Sequence, residues 1–140
     1  MDPIVRKNNG YIDKYIGDII MALFKKSAID AIKTSVEMLN SLRDFNVYRI
    51  KKGDVPIHVG IGVNTGKMIL GTLGESDRME GSVISDAVNI ATKLEGLTKF
   101  YKTPLLISDE TLSKSVGLNF PIRLIDKVSV KGKEKPISVY

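Results

Sequence analysis

Residues 11–24 read YIDKYIGDIIMALF, and this stretch decides the fold. It holds two short apolar runs, residues 11–16 and 19–24, which are separated by Gly17 and Asp18. Two β-forming runs around a Gly-Asp pair predict a tight β-hairpin. Lys14 lies in the middle of the first run, although lysine is rarely buried without a partner. The hairpin therefore carries Lys14 within a strand and Asp18 at its turn, and Asp18 taken alone is typical of simple turn chemistry.

Helical patterns flank the hairpin on both sides. Residues 2–9 are typical of a short helical arm that ends at Asn8-Asn9-Gly10. Ser27 is a good N-cap for the helix that follows, with Asp30 three residues on as its reciprocal partner. Apolar residues then recur at steps of three and four, which predicts one buried helical stripe. The members of this stripe are Ile29, Ile32, Val36, Leu39 and Leu42.

The rest of the chain alternates predicted strands and helices. Residues 55–63 and 67–73 are predicted strands, and a second long helix is predicted from about residue 83 to residue 100. Residues 105–107 form a predicted strand, Ser108 begins a short helix, and residues 122–130 and 136–140 form the last strands. This order predicts an α+β domain of ferredoxin-like type, with one mixed sheet and helices on one face. A complete unit of this type needs a further strand and helix before Tyr11.

Composition excludes several classes of protein. The length of 140 residues is typical of one domain. The chain has 43% hydrophobic and 26% charged residues, as in ordinary globular proteins. No apolar run reaches the roughly 18 residues of a membrane-spanning helix, and the absence of cysteine excludes thiol chemistry. The net charge of +5 suits polyanions in general. Because the basic residues are scattered and no strand is rich in aromatic residues, the sequence argues against nucleic acid as the partner.

The glycine-rich stretch GIGVNTG at residues 60–66 superficially resembles a dinucleotide-binding loop. Such a loop must pass from a strand into a helix, so that the helix N-terminus meets the pyrophosphate. Here the stretch leads into another predicted strand. We therefore expect these glycines to serve a turn and close packing, not phosphate binding.

The second long helix carries a row of polar residues. Ser82, Asp86, Asn89 and Lys93 are four, three and four residues apart, so they are predicted to share one side of the helix. A row of this kind is most often a solvated face. A hydroxyl, an amide and a cation along one side of a helix could also bind the base, ribose and phosphate of a nucleotide.

Three segments resemble class III nucleotidyl cyclases. Residues 11–24 are similar to a hairpin of that family, and RMEGSVISDAVNIA at residues 78–91 is similar to its substrate-binding helix. VKGK at residues 130–133, followed by Pro136 and Tyr140, is similar to its C-terminal hairpin. The resemblance covers nearly the whole chain in the family's order. It implies a bacterial adenylate-cyclase-like catalytic domain over residues 1–140.

The resemblance also implies a reaction and a metal site. In this family two domains pair head to tail, and each active site lies across their interface. The ribose 3′-hydroxyl of ATP attacks the α-phosphate, forms cyclic AMP and expels pyrophosphate, at a site with two Mg²⁺ or Mn²⁺ ions. Asp18 matches the family's second metal-binding aspartate, so the resemblance implies that it is a metal ligand.

Two positions are implied to select the purine. Lys14 matches the first, and Ser82 the second. Adenine offers an acceptor at N1 and donors at N6, whereas guanine offers a donor at N1 and an acceptor at O6. Lysine can only donate and therefore suits adenine, while the Ser82 hydroxyl could accept from N6 or donate to O6. Lys14 thus favours ATP, and Ser82 permits it.

The remaining implied contacts concern ribose and phosphate. Asn89 matches the family's ribose-orienting asparagine. Lys93 stands where the family has an arginine that stabilises charge on the reacting phosphate, so charge is kept but the planar two-point fork is lost. We therefore expect a site with Lys93 to turn over ATP more slowly than a site with the arginine. Lys131 and Lys133 are implied candidates for the β- and γ-phosphates.

One family motif has no counterpart in this sequence. The strand that bears the other metal-binding aspartate is expected before residue 1, and Asp2 does not replace it because it lies on the helical arm. We therefore expect a cyclase catalytic domain that lacks its first strand and helix, with negligible activity as a fragment. A complete form is expected to act as a homodimer or with a second cyclase domain, in the cytoplasm. We also expect an upstream sensor domain in the whole protein, which could be attached to a membrane.

Two other functions remain as alternatives. The first is a degenerate cyclase-homology domain with a regulatory role in dimerisation or nucleotide binding, which Lys93 and the missing aspartate favour. The second is a nucleic-acid-binding sheet of similar topology, which predicts salt-dependent binding of RNA or DNA.

Overall fold

The protein is represented by a computed structural model that describes residues 1–73, 80–84, 86–130 and 135–140, with the backbone alone at 69–73 and 80–84. The first half of the chain holds α1 (Asp2–Lys7), β1 (Gly10–Ile16), β2 (Ile19–Phe24) and α2 (Ala28–Lys51). The strands β3 (Ile61–Val63), β4 (Ile69–Leu73) and β5 (Glu80–Ile84) follow. The last elements are α3 (Asp86–Tyr101), β6 (Leu105–Ile107), α4 (Asp109–Ser113), β7 (Asp126–Val128) and β8 (Ile137–Val139).

The described strands pair two by two. β1 with β2, β4 with β5 and β7 with β8 are antiparallel, whereas β3 and β6 are parallel. A bridge between Ser108 and Val139 links the β3–β6 ladder to the β7–β8 ladder, and Ile107 and Tyr140 exchange two backbone hydrogen bonds beside it. The predicted α+β class is confirmed, and strands of both orientations are present.

The predicted hairpin is confirmed, with Gly17 and Asp18 at its turn. Gly17 has a φ of 61°, a left-handed conformation that glycine adopts without steric cost. The register shifts between Ile12 and Lys14, so Asp13 is the extra residue of a β-bulge. The hairpin's outer half is exposed, including the apolar side chains of Tyr15, Ile16, Ile19 and Ile20.

The predicted cap at Ser27 is confirmed, but its predicted reciprocal partner is wrong, because the Asp30 side chain binds Asn9 and not Ser27. The Ser27 hydroxyl accepts a hydrogen bond from the Ile29 amide at 3.1 Å and caps α2. Asp30 accepts from the Asn9 side chain at 3.2 Å and so links α2 to the end of α1. Within the predicted apolar stripe Ile32 is buried and the other members are half-buried.

The predicted strand over residues 55–63 is wrong for most of its length, because only Ile61–Val63 forms a ladder. The backbone before it is bound by side chains of α2 instead. Asn46 donates to the Ile57 carbonyl and accepts from the Ile57 amide, both at 2.8 Å, and Arg49 donates to the Val55 carbonyl at 2.9 Å. Alternating apolar residues indicate a strand pattern, but a strand also needs a partner for its backbone.

Two further predicted boundaries are corrected. Val83 and Ile84 pair with β4, so the second long helix begins at Asp86 and not near residue 83. Ser82 consequently lies on β5 and not in the helical row with Asn89. The predicted strand over residues 122–130 narrows to Asp126–Val128, because its partner Ile137–Val139 is only three residues long.

The core lies between α3 and the strands β6 and β8. Its buried cluster consists of Ile90, Leu94, Leu106, Ile137 and Val139. Leu97, Tyr101, Ile125 and Val128 pack against it partly buried. On another side of α3, the side chains of Asn89, Thr92 and Lys93 are exposed. In the part of the chain that the structure describes, none of the helices combines the length and the apolar character needed to cross a membrane.

Candidate functional site

The exposed side of α3 forms a groove. The groove has a volume of about 440 Å³ and is lined by Asn89, Thr92, Lys93, Gly96 and Leu97. The side chains of Asn89 and Lys93 are exposed, and no described residue gives either one a hydrogen bond or an ion pair. The prediction that these two residues share one side of the helix is confirmed. An amide and an ammonium group are thus available to a ligand in one place.

Three lining residues were missed by sequence reasoning: Thr92, Gly96 and Leu97. They follow Asn89 at three, seven and eight residues, which is the spacing of one helical side. That spacing could have found them. Gly96 leaves this wall of the groove without a side chain, and a Cβ added there would meet nothing within 4 Å.

Close packing against β3 fixes the position of α3. A Cβ at Gly62 would overlap the backbone at Ala91 and Glu95, and one at Gly66 would lie 2.7 Å from the Ala87 Cβ. Backbone atoms cannot rotate away as side chains can, so only glycine allows this approach at Gly62. The prediction that the glycines of residues 60–66 serve close packing is confirmed. The predicted hairpin turn between the flanking strands is wrong, because β3 pairs with β6 and β4 pairs with β5.

The other end of α3 is tied to β7. The Tyr101 hydroxyl donates to Oδ2 of Asp126 at 2.6 Å. This hydrogen bond raises the pKa of Tyr101 and lowers the pKa of Asp126, because it needs a protonated phenol and an ionised carboxylate. Both ends of the helix that lines the groove are therefore held by the rest of the domain.

The hairpin carries the other two described candidates, Lys14 and Asp18. The side chain of Lys14 is 34% exposed, and its Nζ lies 3.7 Å from Oδ2 of Asp13. The bulge at Asp13 brings the two charged ends near each other although the residues are adjacent in a strand. Asp18 is exposed at the turn, and its carboxylate has no hydrogen bond or ion pair with any described residue. Neither residue is among those that line the groove on α3.

The remaining candidates are only partly described or not described. The backbone of Ser82 pairs with Gly71 in the β4–β5 ladder. Lys131 and Lys133 lie outside the described residues.

The residues present fit part of a metal site. Among the described residues no cluster of three or more His, Cys, Asp or Glu side chains could hold a metal ion. Mg²⁺ is commonly bound by one or two carboxylates together with the phosphates of a substrate. Asp18 therefore fits as one carboxylate ligand for a metal ion that arrives with a triphosphate, and not as a preformed metal centre.

Comparison with known proteins shows the family. A family model described as "Adenylate and Guanylate cyclase catalytic domain" matches residues 1–140. This chain belongs to that family. Solved cyclase structures share the fold of this cyclase domain. The adenylyl cyclase CyaB from P. aeruginosa superposes with a TM-score of 0.82 at 26% identity, over 99% of this chain and 74% of that chain. The guanylyl cyclase Cya2 superposes with a TM-score of 0.79 at 28% identity, over 98% of this chain and 71% of that chain.

Curated relatives give higher identities over a smaller part of their length. The adenylate cyclase of Anabaena cylindrica is 43% identical over 147 residues, which cover 100% of this cyclase domain and 29% of that protein. The terminal-differentiation-specific adenylate cyclase of Dictyostelium discoideum is 39% identical, over 99% of this chain and 7% of that protein. The chain therefore spans less than a third of each of these relatives.

Proposed function

We propose that this cyclase domain serves an adenylate cyclase, which converts ATP to cyclic AMP and pyrophosphate in intracellular signalling. The observation that carries this proposal is the groove on α3, where Asn89 and Lys93 are exposed together. The names of the Anabaena and Dictyostelium relatives support ATP as the substrate. Because Cya2 is a guanylyl cyclase, family membership leaves the purine open, and the choice rests on this chain's own residues.

Lys14 is the proposed purine-selecting residue. Its ammonium group can donate to N1 of adenine but cannot accept the N1 proton of guanine. Its side chain is one-third exposed, so it is accessible to a base. Ser82 on β5 is the proposed second contact, and its hydroxyl can accept from the N6 amino group. The purine preference therefore depends mainly on Lys14.

Asn89 and Lys93 are proposed to hold the reacting part of ATP. Asn89 orients the ribose so that its 3′-hydroxyl faces the α-phosphorus. Lys93 stabilises negative charge on the phosphate as the bond to pyrophosphate breaks. Lys131 and Lys133 are proposed contacts of the β- and γ-phosphates. Since α3 is held at both ends, the amide and the ammonium group keep a fixed spacing during the reaction.

Asp18 is proposed to hold Mg²⁺ or Mn²⁺ at the site, in a second copy of the chain. When bound, the metal would neutralise negative charge on the triphosphate. Asp18 does not line the α3 groove of its own chain, which supports an active site completed by a homodimer or a second cyclase domain. The exposed apolar residues at the hairpin tip, such as Tyr15 and Ile16, support a partner surface there. The resemblance implies two metal-binding aspartates and Asp18 matches one of them, so we propose that the 140-residue chain turns over little ATP alone.

The proposed partners are thus ATP and a second cyclase domain, with no role for nucleic acid. We propose a cytoplasmic location for the domain and an upstream sensor domain in the whole protein. The whole protein could also be attached to a membrane. The greater length of the relatives supports additional domains.

Calorimetric titration of the chain with ATP and with GTP, each with Mg²⁺, tests the proposal. ATP is expected to bind more tightly, and Lys14→Glu is expected to reverse the order because a carboxylate accepts from guanine N1. Lys99→Glu is the control, since Lys99 is an exposed lysine of α3 that does not line the groove. Equal binding of both nucleotides that Lys14→Glu leaves unchanged would refute ATP selection by Lys14.

One observation favours a second function, a regulatory cyclase-homology domain. Lys93 stands where the resemblance implies an arginine, so the planar two-point contact with a phosphate is lost. A cyclic AMP assay with ATP and Mn²⁺ separates the two functions. The added partner is a separate complete cyclase domain whose own ribose-orienting asparagine is replaced by alanine, so that its homodimers make no cyclic AMP. The regulatory function then predicts tight ATP binding without turnover in the mixture, whereas the catalytic function predicts cyclic AMP from a site that pairs the partner's aspartates with Asn89 and Lys93 of this chain.

A further inference from the structure

Asn64 connects the end of β3 to the first turn of α3. Its Nδ2 donates to the carbonyl oxygen of Ala87 at 3.0 Å, and its Oδ1 accepts from the Ser108 hydroxyl at 2.6 Å. Ala87 is buried and stands two residues before Asn89. A single side chain therefore joins the helix that lines the groove to the region after β6.

Behind Asn64 lies a buried network of hydroxyl groups. Ser108 and Thr111 are completely buried, and their hydroxyl oxygens are 3.1 Å apart. The Thr111 hydroxyl donates to the Val63 carbonyl at 3.3 Å and is contacted by the Thr65 hydroxyl at 3.2 Å. Ser108 also caps α4 by accepting from the Thr111 amide at 3.2 Å. Because each of these groups binds another, the network holds the Asn64 amide in one orientation.

The hydrogen bond from Asn64 to Ala87 restricts the orientation of α3, which the glycine contacts do not. The approach of Gly62 and Gly66 to α3 sets how close the helix lies, but such contacts are weakly directional. The bond from Asn64 to the Ala87 carbonyl is directional, so it also restricts rotation and sliding of the helix at its first turn. Asn89 and Lys93 follow within six residues, where a small rotation would move both side chains together.

We propose that Asn64 is a positioning residue for nucleotide binding, and that Ser108 acts through it. Asn64 is not among the residues that line the groove. It keeps the first turn of α3 in the orientation in which Asn89 and Lys93 face one ligand. This inference rests on the proposed function for its nucleotide, but the restraint of α3 can be measured without one.

Three variants isolate the restraint from general stability. Asn64→Ala removes both hydrogen bonds, whereas Asn64→Asp keeps the shape and the acceptor for Ser108 but loses the donor to Ala87. Ser115→Ala is the matched control, because the buried Ser115 donates to the Thr111 carbonyl at 2.7 Å and its hydroxyl has no hydrogen bond to a described residue of α3. All three variants are expected to lower the urea midpoint of the chain.

Two measurements on the folded chain then test the inference: amide hydrogen exchange of residues 86–93, and the Kd for ATP with Mg²⁺. We expect Asn64→Ala and Asn64→Asp each to raise the Kd and speed exchange by about five- to thirtyfold, the size of one lost buried hydrogen bond. Ser115→Ala is expected to change neither beyond about twofold, although it also loses stability. Ser108→Ala combined with Asn64→Ala should add little to Asn64→Ala, because the two residues act in one chain of contacts.

The outcomes separate the inference from the proposed function. If the wild-type chain binds no ATP, the proposed function fails, and the exchange of residues 86–93 still decides whether Asn64 restrains α3. If exchange in Asn64→Ala matches that in Ser115→Ala, the positioning role is overturned whatever the nucleotide does. If exchange speeds up but the Kd for ATP stays unchanged, the restraint exists and its role in binding is overturned.

Discussion

The Tyr101 hydroxyl lies 2.6 Å from Oδ2 of Asp126 and joins the last turn of α3 to β7. The hydrogen bond raises the pKa of Tyr101 above its ordinary value of 10.0 and lowers the pKa of Asp126 below its ordinary value of 3.8. A raised tyrosine pKa stabilises the fold below about pH 10, and a lowered aspartate pKa stabilises it above about pH 4. The pair therefore supports the end of α3 across the neutral range and fails at both extremes.

Tyr101→Phe is expected to lower the urea midpoint of unfolding at pH 7, because it removes the donor and keeps the ring. The difference from wild type should shrink as the pH falls through the lowered pKa of Asp126, where the carboxylate becomes protonated in both proteins. Urea titrations between pH 7 and pH 3 measure this. Tyr15→Phe, at an exposed tyrosine, serves as the control and should change nothing. A difference that is constant over this pH range would contradict the assignment.

Gly62→Ala and Gly96→Ala are expected to act in opposite directions. The added methyl at Gly62 would overlap the backbone of α3 at Ala91 and Glu95, which should cost about 3 kcal/mol of stability. The same methyl at Gly96 meets nothing within 4 Å, and alanine favours a helix over glycine by about 0.5–1 kcal/mol. Urea denaturation of the two variants measures both effects. Similar stabilities would show that β3 and α3 are not in backbone contact.

Ser27→Ala is expected to lower stability by about 1 kcal/mol, because the Ile29 amide at the start of α2 loses its acceptor. Ser41→Ala, at an exposed position within the same helix, should be neutral or slightly stabilising, since alanine has the higher helix propensity. Thermal denaturation followed by circular dichroism compares the pair. Equal melting temperatures would rule out Ser27 as the cap.

Lys93→Gln is expected to weaken the binding of ATP with Mg²⁺ by about three- to tenfold at low salt, which corresponds to about 1 kcal/mol for an exposed ion pair. The loss should decrease as salt screens the charge. Lys93→Arg is expected to bind at least as well as wild type, because the guanidinium group offers two parallel donors. Lys99→Gln removes the same charge from α3 outside the groove, and equal losses in the two glutamine variants would show that Lys93 has no specific contact.

Features that depend on neighbouring residues were predicted correctly from the sequence. The hairpin of β1 and β2, the caps at Ser27 and Ser108, and the shared side of Asn89 and Lys93 all follow from spacing within a few residues. The bulge at Asp13 was not predicted, because alternation in one strand does not show where its partner skips a residue. For the same reason sequence reasoning missed the proximity of Asp13 to Lys14.

Sequence alone determined the α+β class, the hairpin and the shared side of Asn89 and Lys93 on α3, since each is encoded by local patterns of side chains. Tertiary structure alone decided that residues 55–60 bind to α2 through Asn46 and Arg49, that residues 80–84 form a strand, and that Asn64 reaches Ala87. These outcomes depend on which distant segment satisfies a backbone group. A backbone N–H can donate to any suitable acceptor, and a backbone carbonyl can accept from any suitable donor. Only the folded chain brings a particular partner within hydrogen-bonding distance.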